Sequence, residues 1–334
     1  MLILTKSLMA VMIGFILSLI TAFILIPILK KLKVRQSLSV YLERSHTKKQ
    51  GTPTMGGLIF IIPTILTIVL LLILKKITIN YSLLIVLFSF IGYALIGFID
   101  DYLIVIKHNN KGLSEKSKFL MQVVIAVIFF YLFMRGGNEP LLWIHAFNLK
   151  LSIGWFYGLF ILFVLVASSN AVNLTDGLDG LAGGLSLIAF TTFGIISYNT
   201  GWLDGYESVA IFCFILVGSI LGFLVFNISP AKVFMGDTGS LALGATLGSI
   251  AIITRHELLL VLIGIVFVIE TLSCIIQRIY YKFTKKRIFL MTPIHHTFEK
   301  KGFDERDIVK VFWIVGLLAS LVAICFGVLL WKES

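Results

Sequence analysis

The chain has 334 residues, 58% of them hydrophobic and only 13% charged, with a formal net charge of +11. Soluble domains carry about 45–50% apolar and about 25% charged residues, so no water-soluble fold of this length could hide so much apolar surface. The basic excess falls in loops between apolar runs, which accounts for it by the positive-inside rule and argues against nucleic-acid binding.

Ten apolar runs follow one another along the chain, at about 7–29, 57–74, 81–99, 119–134, 153–169, 181–199, 208–226, 240–253, 257–279 and 309–330. Lipid offers no partner to backbone N–H and C=O groups, so a span must be a helix or part of a closed barrel. These runs have helical-span length and lack the period-two alternation of barrel strands. The predicted fold class is all-α, a polytopic integral membrane protein with about ten transmembrane helices. The first run is too long for a signal h-region and no small-residue cleavage pattern follows it, so it reads as a retained span. No linker, repeat or low-complexity tract interrupts the chain, which reads as a single transmembrane catalytic domain over 1–334. Cys213, Cys274 and Cys325 all lie in apolar runs without ligand-like spacing, so neither a disulfide framework nor a zinc site is expected.

Orientation follows from the basic residues. The loops 30–56, 100–118, 170–180, 227–239 and 280–308, with the flanking Arg278 and Lys310, hold 21 of the 28 Lys and Arg residues. That asymmetry predicts these loops on the cytoplasmic side and both termini outside, against which only the pair Lys75 and Lys76 stands out. The same loops hold 11 of the 17 acidic residues and every polar motif of note. Membership of one set of loops predicts that these motifs meet.

Asp100 and Asp101 directly follow Ile99 at the end of an apolar span. Adjacent carboxylates at a hydrocarbon boundary call for a nearby cation or a shared proton. Asn170, Asn173, Asp176 and Asp179 recur every three residues and form one polar stripe if the stretch is helical. Such oxygens suit Mg²⁺ and the hydroxyl and imide groups of a nucleotide. Gly177 and Gly180 allow close approach of backbone or ligand, while Gly183 and Gly184 suit close helix packing equally well. Asp237, between Gly236 and Gly239, suits a metal ligand in a tight turn, although alone it would serve as a helix N-cap. Phe234 stands ready to stack on a base or anchor the helix end. His295 and His296 lie in a basic loop without a third zinc ligand, so phosphate or sugar contact or proton transfer is favoured over a metal role. Adjacent histidines on a regular helix are expected to point apart. Lys48 and Lys49, before the Gly51-Thr52-Pro53-Thr54 turn, suit phosphate contact. Glu270 and Gln277 share one face of the ninth span, with Glu270 read as structural.

Several carboxylates for Mg²⁺, Lys and His for phosphate, and a wet pocket at a bilayer edge suit phosphoryl transfer between one soluble and one lipid phosphate. The residues that carry a closer likeness are Gly51-Thr52-Pro53-Thr54-Met55-Gly56-Gly57, Gly97-Phe98-Ile99-Asp100-Asp101-Tyr102, Asn170 to Gly180, Val233 to Ser240, and Pro293-Ile294-His295-His296 with Glu299 and Gly302. Through them the chain resembles, over nearly its whole length, the polyprenyl-phosphate N-acetylhexosamine-1-phosphate transferases. The Thr-Pro-Thr-Met-Gly-Gly and Pro-Ile-His-His segments favour the branch acting on muramoyl-pentapeptide over the alternative, the branch that transfers GlcNAc-1-phosphate.

The resemblance implies a Mg²⁺-dependent enzyme of peptidoglycan synthesis in the bacterial cytoplasmic membrane, its active site facing the cytoplasm. Its substrates would be UDP-MurNAc-pentapeptide and undecaprenyl phosphate, its products lipid I and UMP, and its habit a homodimer. By the same likeness Asp237 would bind the metal, with Asp101 and Asp176 as further candidates. Asp100 would take the proton from the lipid phosphate or attack directly, with Asp101 and His295 beside it in the catalytic group. Asn173, Leu174, Asp176, Gly177, Asp179 and Phe234 would line the uridine–ribose end. Lys49, Thr54, Asn170, Gly236, Gln277, His295 and His296 would surround the diphosphate and sugar. Two positions depart from the family pattern. Thr297 stands where a third His is usual, so that position is not expected to be essential. Ile104 stands where a Lys is usual, and Lys107 is the expected substitute. An aspartate-rich prenyltransferase would need acidic residues at Ile104 and Gly180. A transporter would place its polar residues at the midplane on broken helices, not at one edge.

Overall fold

The computed structural model describes residues 2–32, 51–107, 112–144, 149–201 and 203–329. It is mostly helical. The long helices are α1 (Leu2–Lys31), α3 (Tyr81–Lys107), α4 (Glu115–Arg135), α5 (Phe156–Thr175), α6 (Leu181–Tyr198), α7 (Tyr206–Asn227), α8 (Gly236–Ile253) and α12 (Glu305–Ile324), with the shorter α2 (Leu58–Ile73) after α1. Eight helices among the described residues are long and apolar enough to cross a bilayer.

The ninth run is not the straight span that hydropathy suggests. It is two helices, α9 (Glu257–Ile263) and α10 (Ile265–Thr284), bent by 84° at Gly264. A short α11 (Ile294–Lys300) then precedes α12. The all-α expectation also misses a small antiparallel hairpin, β1 (Leu141–Ile144) with β2 (Leu149–Ser152), in which Leu141 faces Ser152 and Ile144 faces Leu149.

Helices α7 and α8 form the centre. Their apolar windows are 83% and 89% buried, against 28% for α1 and α4 and 22% for the window that begins in α12, so those outer helices face lipid. Small residues let the inner helices approach, as is usual where lipid removes the hydrophobic drive between helices. A Cβ on Gly218 of α7 would stand 2.1 Å from the Val11 carbonyl oxygen of α1, and one on Gly244 of α8 would stand 2.3 Å from that of Ser168 in α5. Ser18 of α1 donates to the carbonyls of Ile59 or Ser219, at 3.0 and 2.8 Å, stitching α1 to α2 and α7. Of the two roles open to Gly183 and Gly184, the structure shows helix packing: a Cβ on Gly183 would meet Leu224 and one on Gly184 would meet Trp313.

At the end of α8 opposite Asp237, Arg255 donates to the carbonyls of Glu139 (2.7 Å) and Leu141 (3.0 Å). Its guanidinium lies 4.8 Å from the centre of the Phe133 ring, and the Tyr157 hydroxyl donates to Glu257 beside it. This buried knot ties the hairpin and α5 to the α8–α9 turn.

Candidate active site

Helix α3 runs on to Lys107, so Asp100 and Asp101 lie inside a helix and not at the start of a loop. Gly97, one turn earlier, sets their place. Its missing side chain leaves room for the Asp237 carbonyl oxygen, which a Cβ would meet at 2.1 Å, and α3 thereby lies directly against the start of α8.

The two aspartates then do different work. Asp101 is buried and accepts from the Asp237 N–H (3.2 Å), the Thr238 N–H (2.9 Å) and the Thr238 hydroxyl (2.6 Å). It supplies the first-turn acceptor that the orphan N–H groups of α8 require, from another helix. Asp100 accepts through Oδ1 from the Leu113 N–H (2.8 Å) and pairs with Lys118 Nζ (3.2 Å). Lys118 also donates to Asp237 Oδ2 at 2.7 Å, so one ammonium bridges the two carboxylates. The Asn173 amide donates to Asp237 Oδ1 and to Ser240 Oγ, each at 2.8 Å. Asp237 is therefore held on one oxygen by α5 and on the other by α4.

Lys118 was not among the residues expected here. It sits in the first turns of α4, whose N-cap Ser114 accepts from the Ser117 N–H, and it reads in the sequence as one more cytoplasmic cation. Lys107 was the expected substitute for the missing family lysine; its side chain lies outside the described residues.

The polar stripe is helical only in part. Asn170 and Asn173 lie in α5, which ends at Thr175, while Asp176 caps the helix and Asp179 belongs to the following turn. Asn170 donates back to the Val166 carbonyl of its own helix, at 2.8 Å. Asp179 is buried, accepts from the Ala231 N–H (2.9 Å), and its own N–H donates to Glu305 (2.7 Å), joining the α7–α8 loop to α12. Leu174 is exposed. The Asp176 carboxyl is pushed up to about 7, first by burial and then by the carboxylates of Asp237, Asp101 and Asp179, against the Gly236 N–H that donates to it. Carboxylates crowded in this way favour a cation in their midst.

The segment from Gly51 to Gly57 pairs with the α7–α8 loop. Gly56 and Gly57 donate to the carbonyls of Phe234 and Met235, and Phe234 donates to that of Pro53, all at 2.8 Å. A Cβ on Gly57 would lie 2.4 Å from the Gly239 backbone, and one on Gly236, at φ +75°, would lie 2.6 Å from Asp101 Oδ2 and 2.8 Å from Thr54 Oγ1. Thr54 is buried beside this cluster and its hydroxyl has no hydrogen-bond partner among the described residues. Phe234 is half-buried. Lys48 and Lys49 lie outside the described residues.

His295 opens α11 and is fully buried. Its Nδ1 lies 3.1 Å from Glu270 Oε2 of α10, and a Cβ on Gly177 would lie 2.3 Å from its Nε2. Gly177 follows Asp176, so this contact carries the histidine up to the carboxylate group. The two imidazoles do not point apart as expected: their centres are 4.1 Å from each other, and His296 Nδ1 is 2.6 Å from Glu299. Gln277 holds the loop that follows α10. Its Oε1 accepts from the N–H groups of Ile288 (3.0 Å) and Phe289 (3.1 Å), and its Nε2 donates to the Phe289 carbonyl (3.3 Å). Thr297 pins the next stretch, accepting from the Met291 N–H and donating to the Met291 carbonyl.

No cluster of three His, Cys, Asp or Glu side chains among the described residues forms a ready-made metal site. The donor set nonetheless suits Mg²⁺, which takes one or two carboxylates and completes its shell with water and substrate phosphates. Asp237 and Asp176 fit that part: each Asp237 oxygen accepts one hydrogen bond and keeps a lone pair, whereas Asp101 accepts three bonds from the start of α8, two of them on Oδ2.

Helices long and apolar enough to cross a bilayer carry this group of Asp, Asn and Lys side chains, and residues 83–255 match glycosyl transferase family 4, the class to which the chain belongs. Residues 49–61 match signature 1 of the phospho-N-acetylmuramoyl-pentapeptide-transferases. The chain is 49% identical over 324 residues to the phospho-N-acetylmuramoyl-pentapeptide-transferase of Staphylococcus carnosus, covering 95% of this chain and 98% of the relative. It is 47% identical over 320 residues to that of Geobacillus thermodenitrificans, covering 94% and 96%. The chain belongs to the phospho-N-acetylmuramoyl-pentapeptide-transferase family. It is thus a multi-pass membrane enzyme.

Proposed function

We propose that the chain transfers phospho-MurNAc-pentapeptide from UDP-MurNAc-pentapeptide to undecaprenyl phosphate, giving lipid I and UMP, with Mg²⁺ as cofactor. The observation that supports this reading is the chain of contacts Asp100–Lys118–Asp237–Asn173, which sets two carboxylates on one ammonium with an amide beside them. An oxygen of the lipid phosphate attacks the β-phosphorus of the nucleotide. The bond from that phosphorus to the bridging oxygen breaks, and UMP leaves with the electron pair. Asp100 takes the proton of the acceptor phosphate on Oδ2, the oxygen not held by Leu113 and Lys118. Lys118 neutralises developing phosphate charge, and Thr54 donates its unpaired hydroxyl to a phosphate oxygen. Asp237, with Asp176, would hold Mg²⁺, which supplies charge neutralisation to the diphosphate when bound. Asn173 orients Asp237, and Phe234 borders the uridine. His295, buried and fixed by Glu270, backs Gly177 next to Asp176 and so shapes the site from behind.

The distribution of basic residues favours a cytoplasmic-facing site in the cytoplasmic membrane with both termini outside, and the count reaches ten spans when the short α2 and the bent α9–α10 pair each cross. A homodimer accords with the family resemblance. The purified chain with Mg²⁺ should release UMP from UDP-MurNAc-pentapeptide only when a polyprenyl phosphate is present, and Asp237→Asn should abolish that release. Equal release from UDP-GlcNAc, or none at all, would overturn the assignment. A sugar-phosphate adduct trapped on Asp100 would replace its role as base with that of nucleophile.

A further inference from the structure

Beyond the carboxylate cluster, the last turns of α10 and the segment after it enclose a cleft of about 520 Å³, lined by Cys274, Gln277, Arg278, Arg287, Met291 and Lys300 among others. Its walls are fixed: Gln277 clamps residues 288 and 289, and Thr297 holds Met291. Its charge is one-sided, since none of the described residues lining it is acidic while three are cationic. Among the described residues no carboxylate forms an ion pair with Arg278 or Arg287, and Arg287 makes a long contact, 3.5 Å to the Leu290 carbonyl. The cleft also continues the active site along α10. Glu270, Cys274 and Gln277 share one face of that helix, and Arg278 stands eight residues beyond the glutamate that holds His295. At 1.5 Å per residue that is about 12 Å. An extended pentapeptide reaches roughly 17 Å.

We propose that this cleft receives the peptide of the donor substrate and that Arg278 and Arg287 hold its C-terminal carboxylate. The proposal rests on the transfer reading above. In a muramoyl peptide the amino end is tied up in an amide, so the terminal carboxylate is a fixed anion at the end farthest from the sugar. Guanidinium groups match it in charge and in forked geometry. Gln277, expected at the diphosphate, instead holds the cleft wall, and the two arginines would select for the peptide without taking part in the chemistry.

The test compares UDP-MurNAc-pentapeptide with the same donor ending in a carboxamide, measuring UMP release by the full chain in detergent with polyprenyl phosphate. Wild type should prefer the carboxylate by roughly 10-fold in kcat/KM, the scale of a hydrogen bond to a charged group. Arg278→Gln and Arg287→Gln should raise KM for the carboxylate donor, leave kcat in place and erase the preference, while Arg278→Lys and Arg287→Lys keep part of it. Both arginines are exposed, so folding is not at stake. Equal turnover of the two donors by wild type overturns this inference and leaves the transfer reading intact; no UMP from either overturns both. If the Gln variants lose equal activity on both donors and added anionic phospholipid modulates that loss, the cleft is a lipid headgroup site and the inference fails.

Discussion

Gly97→Ala should separate activity from stability. The new methyl would stand 2.1 Å from the Asp237 carbonyl oxygen and 2.4 Å from its carbon, and both are backbone atoms that no rotamer can move. Ordinary contact is about 3.5 Å, so α3 must retreat from α8 by about 1 Å. Overpacking of this kind costs about 1–3 kcal/mol, and the gain in helix propensity from Gly to Ala returns about 1 kcal/mol. The helix pair should therefore survive with a Tm lowered by a few degrees. Activity has no such compensation. The retreat carries Asp100 and Asp101 away from Lys118 and Thr238, and a 1 Å misplacement at a reacting centre costs on the order of 100-fold. Steady-state UMP release with a parallel thermal-shift measurement reads both effects. Gly92→Ala is the control, because the atoms nearest its Cβ belong to the Ile125 side chain, the first at 2.9 Å, which can shift where backbone cannot. If Gly97→Ala keeps kcat/KM within about threefold of wild type, the claim that this glycine sets the active-site geometry is wrong.

Lys118→Met should leave Asp100 and Asp237 facing each other without their shared cation, lowering kcat by about 100-fold or more while raising the Mg²⁺ concentration needed for half-activity; an unchanged kcat would remove Lys118 from the site. Glu270→Ala strips the fully buried His295 of its partner and should cost about 1–3 kcal/mol, visible in the melting curve, whereas Glu270→Gln, still able to accept a hydrogen bond, should restore most of that stability. Thr297→Val, which removes both contacts to Met291, should destabilise by about 1–2 kcal/mol and raise KM for the donor, while Thr297→Ser should behave as wild type. Equal behaviour of the Val and Ser variants would show that Thr297 does not hold that loop.

The sequence announced the polar residues that meet because chain position and charge are local properties. Asp100, Asp237 and Asn173 could be named from sequence, and the structure joins them, Asn173 to Asp237 directly and Asp100 to Asp237 through Lys118. What each one touches depends on residues far away in sequence. Asp101 reads as a twin of Asp100 until its acceptor role at α8, 136 residues on, becomes visible. Lys118 was hidden among lysines that the positive-inside rule already explained. The missing family lysine at Ile104 was a signal that a cation had to come from elsewhere, but nothing local chose Lys118 over Lys107. Hydropathy averages over a window and cannot register a change of direction, so the 84° bend at Gly264 was invisible inside one apolar run. The hairpin strands, four residues each, were too short to stand out from a loop.

The burial of α8 bears on how the protein is made. It is the least apolar of the eight candidate spans, rich in Gly, Ala, Ser and Thr, and the most enclosed by its neighbours. A translocon sorting helices one at a time by their affinity for lipid would hold this segment back, since Asp237 and the bare glycine backbone are poorly solvated by acyl chains. Its entry into the bilayer must therefore be cooperative, with α3, α5 and α7 already present to receive it. In a glycosylation-mapping assay, residues 236–253 alone should insert poorly, and insertion should rise when α7 precedes them in the nascent chain. The helix that carries Asp237 would then be among the last to settle, so the enzyme would acquire its chemistry only once the surrounding bundle is complete.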